Sequence, residues 1–320
     1  MNLRPVLLTS TTRNRRRQHG DEATRWARAA YLLIAALLLS AGVLAWTGCG
    51  GKGGDEKPAI AIQGTIVFVW GHEGSQKTGI YNDMYLLDAQ GARLLADHAG
   101  VTWADPAWSS DGTQIAYITD EYQLAIINRD GSGGAYLTPK VSDESLMPWH
   151  PEWTPDGNIS FVAASQIAVL SPDGSPVRVL TPDHDVSGPF AWSPDGTQVV
   201  FDGSDLSGPE VLLFDVESGE SRTLLTPPQP FESLAWSPDG KTIVAADTEG
   251  DLYVFGADGE DLHAIAQPSR VERPAWSPDG KMIVYDYFAD SGKALWVMNA
   301  DGSGAQQLLS FGSQPDWTAR

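Results

Sequence analysis

Side-chain catalysis needs a nucleophile or metal, a base, and a group that orients the base, all converging on one point. Histidine is the usual base, and this chain scatters its candidates, with His72, His98, His150, His184 and His263 in separate stretches. No His-x-x-x-His or Cys-x-x-Cys pair supplies metal-ligand spacing. No Gly-x-Ser-x-Gly elbow presents an activated serine, and no α/β domain that could carry one is expected after the last repeat. The acidic groups Asp202, Asp205 and Glu210, and Asp258, Glu260 and Asp261, could in principle hold calcium. Their spacing does not match a twelve-residue calcium loop, with its alternating ligands and distal bidentate Glu, and solvated turns are expected instead. The residue types therefore point away from metal and covalent chemistry. No catalytic residue, metal ligand or cofactor is assigned.

What must position any binding residues is a repeat. AWSPDG occurs at 191–196, 235–240 and 275–280, with AWSSDG at 107–112 and EWTPDG at 152–157. Trp108, Trp153, Trp192, Trp236, Trp276 and Trp317 follow one another at 45, 39, 44, 40 and 41 residues, the period of a four-stranded propeller blade. After each turn comes a short apolar strand: QIAYI, NISFV, QVVF, TIVAA and MIVYDY, beginning at 114, 158, 198, 242 and 282. A third strand follows in each repeat (LAIIN at 124–128, IAVL at 167–170, VLLFD at 211–215, LYVF at 252–255, LWVMN at 295–299), then a Gly-containing turn and a fourth strand such as TLLT at 223–226. Valine, isoleucine and aromatic runs cut by Asp-Gly turns are hairpin chemistry. The expected class is all-β.

The ends complement each other. GTIVFVW (64–70) and MYLLDAQGARLLADH (84–98) form a unit of three strands with no leading Pro-x-Trp segment, whereas Pro315-Asp316-Trp317 is such a segment with no strands after it. Pairing the last strand into the first blade would remove the exposed sheet edge and close a six-bladed propeller over residues 63–320. PAWSPDGKMIVY followed by LWVMNADGSGAQQLL resembles the TolB-like propeller repeat. That resemblance implies the fold. It leaves function open, since the same repeat serves a periplasmic scaffold, non-catalytic propellers of prolyl-peptidase relatives and some polysaccharide lyases.

Within this frame the Ser-Pro-Asp-Gly runs read as turns. Proline presets φ, aspartate caps its own backbone and glycine takes positive φ. The repeated tryptophans read as filler between adjacent blades. The residue three places before each tryptophan falls, by register, near one end of the channel. These are Asp105, His150, Pro189, Ser233, Arg273 and Gln314, with Glu232 and Glu272 beside two of them. They vary in chemistry where the turns and tryptophans are uniform. A recognition surface grafted onto a repeating scaffold has that signature, and so does a hydrated funnel mouth. Asp105, His150, Ser233, Glu272, Arg273 and Gln314 are the expected binding residues.

Residues 29–46 carry no charge and follow an arginine-rich leader, and the run ends in Trp46-Thr47-Gly48-Cys49 before GGKGGDEKP. A basic region, an apolar run and small residues form an export signal. This one resembles a bacterial lipoprotein signal, which implies cleavage before Cys49 and a diacylglycerol on its thiol. An uncleaved membrane helix is the alternative, since eighteen apolar residues are the lower edge of a spanning length and Trp46 suits the interface. A cleaved, unanchored form is the third option. Each puts the bulk of the chain on the extracytoplasmic side of a bacterial membrane. The expected domains are a signal or anchor at 1–48, a tether at 49–62 and the propeller. Cys49 is the single cysteine, so no intramolecular disulfide forms.

The chain carries 21 basic and 41 acidic residues, a net charge of −20. Seven of the basic and two of the acidic residues fall in the first 48 positions, so the rest holds 14 against 39, a net of −25. A body this negative repels phosphate backbones, which excludes nucleic acid as a partner. The leading expectation is a monomeric, non-enzymatic envelope protein that binds a protein or peptide at the channel mouth. A carbohydrate lyase or hydrolase using His150, Arg273 and an acidic neighbour is the alternative, and a purely structural spacer the third.

Overall fold

Short β-branched and aromatic runs, each ended by a tight turn, satisfy their backbone most directly by antiparallel pairing with the next run. The computed structural model describes residues 62–319 except 74–79, 97–104, 120, 138–147, 175–177, 182–184, 187, 204–207, 267–269 and 290–291. Within it every repeat pairs in this way. The apolar run 29–46, Cys49, His98, His184 and Asp205 lie outside the described residues. Among those described, no helix is long and apolar enough to cross a membrane.

Six four-stranded antiparallel sheets form the blades. The second contains β4 (Ala107–Trp108), β5 (Gln114–Ile118), β6 (Leu124–Asn128) and β7 (Ala135–Leu137). The third contains β8 (Trp149–Trp153), β9 (Ile159–Ala163), β10 (Gln166–Leu170) and β11 (Arg178–Val179). The fourth runs from β12 (Phe190–Trp192) through β13 (Gln198–Asp202) and β14 (Val211–Asp215) to β15 (Ser221–Leu225). The fifth has β16 (Phe231–Trp236), β17 (Thr242–Asp247), β18 (Leu252–Gly256) and β19 (His263–Ala266). The sixth has β20 (Val271–Trp276), β21 (Met282–Ala289), β22 (Gly292–Asn299) and β23 (Gln306–Leu309).

The first blade is composite. Its sheet order is β24 (Ser313–Thr318), β1 (Thr65–Glu73), β2 (Ile80–Asp88) and β3 (Gly91–Ala96), so the last strand of the chain lies beside the first. Ile66 faces Trp317 across this seam and Val67 faces Asp316. Gly64 holds φ +89°, and a Cβ there would collide with the Thr318 carbonyl oxygen. Only glycine allows the two ends to approach so closely. The Trp317 indole N–H also reaches the Gln63 carbonyl at 2.8 Å. The ring is closed, as the complementary ends imply.

Turns and tryptophans hold their expected places. Ser193 Oγ donates to Asp195 Oδ1 at 2.7 Å, and Ser237 and Ser277 do the same to Asp239 and Asp279 at 2.8 Å. These bonds to the serine hydroxyl are the first cause holding the three aspartates below their usual range. The core lies between blades. Leu213 and Val200 of the fourth blade pack with Trp236, Phe231 and Phe255 of the fifth, and Val244 and Val254 of the fifth with Trp276 and Tyr285 of the sixth. Trp153 and Trp192 are only partly buried.

A chain ending at Gly312 leaves β1 as an open edge and removes the buried Trp317. It should melt at a lower temperature and less cooperatively than the full chain in circular-dichroism thermal scans. The single substitution Trp317→Ala should cost about 3–5 kcal/mol. A truncated chain with the full-length melting curve would show that the seam carries no stability.

Candidate functional site: the channel mouth

The innermost strand of each blade has no partner on its channel side, so it tolerates residues that donate no ladder bond. Four of the six use this freedom identically. Asp105, His150, Arg273 and Gln314 are each followed by proline and each adopt positive φ, at 34°, 48°, 49° and 55°. Non-glycine residues seldom do so. In the third and sixth blades this backbone coincides with a register irregularity, between Trp149 and Glu152 and between Glu272 and Ala275. The fourth and fifth blades carry Pro189-Phe190 and Ser233-Leu234 instead, and Pro189 and Ser233 are outside the positive-φ group.

All six residues three places before the tryptophans line one solvent-open cavity of about 280 Å³. The polar ones form a network. Gln314 Oε1 accepts the Asp105 backbone N–H at 3.0 Å. Arg273 Nη1 of the sixth blade donates to Asp105 Oδ1 of the second, passing over the first. His150 Nδ1 stands 3.7 Å from Asp105 Oδ2. Asp105, His150 and Arg273 also line a second cavity of about 310 Å³ with Ile118, Tyr122, Pro148 and Trp149. The trio thus stands between the channel and an aromatic outer groove. Tyr122 there is 43% exposed.

Enclosure by protein lowers the His150 pKa to about 4. The side chain keeps 23% of its surface and stands within reach of the Asp105 carboxylate. Arg273 is likewise drawn down by desolvation, against which Asp286 acts.

Two expectations need correction. Glu272 does not line the channel cavity. It pairs across the sheet with Asp286, and its Oε2 accepts from Lys293 Nζ at 2.8 Å. Lys293 also donates to Asp286 Oδ2 at 3.2 Å, and desolvation raises that buried aspartate to about 6. The strand alternation that sends Arg273 to the channel sends Glu272 towards this lysine. Asp202 is no solvated turn. It is 2% exposed, and its Oδ2 accepts the Phe231 N–H of the next blade at 2.8 Å. Glu210 Oε1 accepts from Thr223 at 2.6 Å, and Asp258 caps the Glu260 N–H. Among the described residues no group of three or more His, Cys, Asp or Glu could hold a metal ion.

Sequence reading missed the two acids immediately before a tryptophan, Glu152 and Asp316, which line the same cavity. The other four blades place Ala107, Ala191, Ala235 and Ala275 there. Asp316 Oδ2 accepts the Trp108 N–H at 2.7 Å and Oδ1 the Trp317 N–H at 2.8 Å, while Glu152 accepts the Trp192 N–H. Burial raises both carboxyls, and Asp316 raises Glu152 further. The signal was present in EWTPDG and PDWTAR beside AWSPDG.

With the geometry in place, comparison with known proteins is decisive on family. The TolB beta propeller domain model matches residues 59–319. This chain belongs to that family. A TolB homolog of Chlorobium luteolum is 31% identical over 124 residues, 37% of this chain and 27% of its own length. An uncharacterized peptidase of Bacillus subtilis, YuxL, is 26% identical over 195 residues, 45% of this chain and 29% of its own. The chain therefore matches less than a third of either relative. The crystal structure of TolB from Acinetobacter baumannii superposes with a TM-score of 0.69 at 20% identity, covering 81% of this chain and 67% of that one. A gluconolactonase from Xanthomonas campestris, XC5397, has the same fold with a TM-score of 0.58 at 16% identity, covering 74% and 86%.

Two consequences can be measured. The His150 pKa is depressed, so the stability tied to its neutral form is complete above about pH 6.5 and is lost as pH falls towards 4. That loss reaches up to about 3 kcal/mol. His150→Gln should flatten this part of the urea-denaturation profile; an unchanged slope would remove His150 as its source. Asp202→Ala strands the Phe231 N–H and should cost about 1–3 kcal/mol, read from the same denaturation curves at neutral pH.

Proposed function

We propose that this chain is a non-enzymatic binding module of the bacterial cell envelope that recognises an extended segment of a protein partner at the channel mouth. The supporting observation is the convergence of Asp105, His150, Arg273 and Gln314 on one cavity from backbone positions that disfavour side chains. Unusual backbone of this kind clusters at functional sites, because only a selected use maintains its cost. The adjoining groove with Tyr122 and Trp149 offers an aromatic wall beside a polar floor, the composition that binding hot spots favour. Kinship with TolB proteins supports a partner that is itself a protein, and the lipoprotein-like leader supports an extracytoplasmic site on a tethered chain, with lipid on Cys49.

Enzymatic use of the funnel is the weaker reading. At 3.7 Å, His150 and Asp105 Oδ2 are not hydrogen-bonded, and Arg273 bonds the other oxygen of that carboxylate. A general base needs that orientation.

A photo-crosslinking residue in place of Tyr122 should form covalent adducts with a protein in the native host envelope. The same probe in place of Tyr136, 69% exposed on the outermost strand β7, should form none. Substituting Asp105→Ala or Arg273→Ala should abolish the adducts. Equal labelling from both positions, or a purified chain with stoichiometric metal that releases unsaturated products from uronate polysaccharides, would overturn this reading.

A further inference from the structure

The residue immediately before each repeat tryptophan is alanine in four blades and an acid in two. Since four blades fold with a methyl group there, the scaffold itself does not require a carboxylate. Glu152 and Asp316 belong to the third and first blades, separated by the second, and both line the channel cavity. Each is only partly buried, so each keeps surface that channel water can reach. Asp105 adds a third carboxylate to the wall, and its charge is matched by Arg273. Arg273 is the one Lys or Arg among the residues lining this cavity. The wall therefore holds one guanidinium against three carboxylates and lies in a body with a net charge of −25.

A second, independent feature shares the wall. Ser233 lines the same cavity from the fifth blade. It is 8% exposed, and among the described residues its hydroxyl oxygen has no hydrogen-bond partner. A buried polar atom without a partner is costly, and one at a cavity wall is a place where a ligand donor or acceptor can be accommodated. Carboxylates held above their usual pKa range by burial, with Asp316 adding to the rise at Glu152, gain most from an incoming positive charge.

We infer that the channel between Glu152, Asp316 and Ser233 receives a cationic side chain, lysine or arginine, presented by the bound segment of the partner. The inference deepens the channel-mouth reading and rests on it. The cation enters past the Asp105–Arg273 pair and lies against the two acids, which keep their bonds to the Trp108 and Trp192 N–H groups. Ser233 then gains a hydrogen-bonding neighbour. The preference for a cation comes from charge complementarity with partly buried acids, which salt screens less than it does exposed ones.

The test uses a displayed library of random peptides selected on the full chain in detergent. Enriched peptides should carry Lys or Arg at one fixed position. Replacing that arginine by citrulline, which removes the charge and keeps the shape, should weaken binding at least about tenfold. The double substitution Glu152→Ala and Asp316→Ala, which installs the residue the other blades already use, should weaken it equally. Should this variant melt early, Glu152→Gln keeps an acceptor for the Trp192 N–H, removes only charge, and should still lower affinity. If enriched peptides lack a fixed cation, or bind the alanine variant undiminished, the cation inference fails. The channel-mouth reading then survives provided Asp105→Ala or Arg273→Ala abolishes their binding. Absence of any enriched peptide would overturn both.

Discussion

The pairing of β24 with β1 is the constraint on which everything else depends. A blade buries its apolar faces against two neighbours, and an array without closure leaves both terminal blades half uncovered and two sheet edges unpaired. Here the seam joins residues more than two hundred positions apart, with Ile66 opposite Trp317. It tolerates so little space that a single methyl at Gly64 would collide with the Thr318 carbonyl. Such a contact is slow to find, because distant chain segments lose the most entropy on meeting. Once made, it converts six separate sheets into one ring.

Ring closure also converts sequence period into convergence. Positions about 42 residues apart along the chain become neighbours around one axis, so any residue at a given offset from the tryptophan is repeated around the channel. Where the blades agree at an offset, the residue answers a demand of the scaffold, as the turn aspartates of the second to sixth blades do by accepting the hydroxyl of the preceding Ser or Thr. Where the blades disagree, the scaffold is indifferent and something else selects the residue. Among the offsets that line the channel cavity, two disagree in polar chemistry, three places before the tryptophan and one place before it. This comparison of positions within one chain replaces comparison among relatives.

Most of the scaffold was legible because its signals are local. Strands β5, β6 and β14 occupy the residues their apolar runs mark, at 114–118, 124–128 and 211–215. Closure was legible from the complementary ends, and the channel position of Asp105, His150 and Arg273 from repeat register alone. Reading failed where direction depends on a neighbouring strand. Glu272 adjoins Arg273 in sequence, yet alternation turns it towards Lys293 on β22. Asp202 looked like one member of an acidic turn, but it ends β13 beside the backbone of the next blade, whose Phe231 N–H needs an acceptor. Glu152 and Asp316 were visible as departures from the alanine beside tryptophan. Their meaning required knowing that this offset faces the channel as well.

The polar residues are not spread evenly around the ring. Arg273, Gln314, Asp105 and His150 come from the sixth, first, second and third blades, which are consecutive, and Glu152 and Asp316 fall within the same arc. The fourth and fifth blades contribute Pro189, Phe190, Ser233 and Leu234. The composite blade lies inside the charged arc, and Asp316 belongs to the closing strand itself, with one oxygen on the Trp108 N–H of the next blade. Site and seam therefore share Gln314 and Asp316. A ligand held by this arc bridges the two ends of the chain and stabilises the closed ring by mass action, in proportion to its occupancy. Conversely, any loosening of the seam displaces Gln314 and Asp316 together and dismantles the wall before the rest of the propeller has changed. In a ring closed by its first and last strands, placing the varied residues at the joint would couple binding at the proposed channel mouth directly to the integrity of the fold.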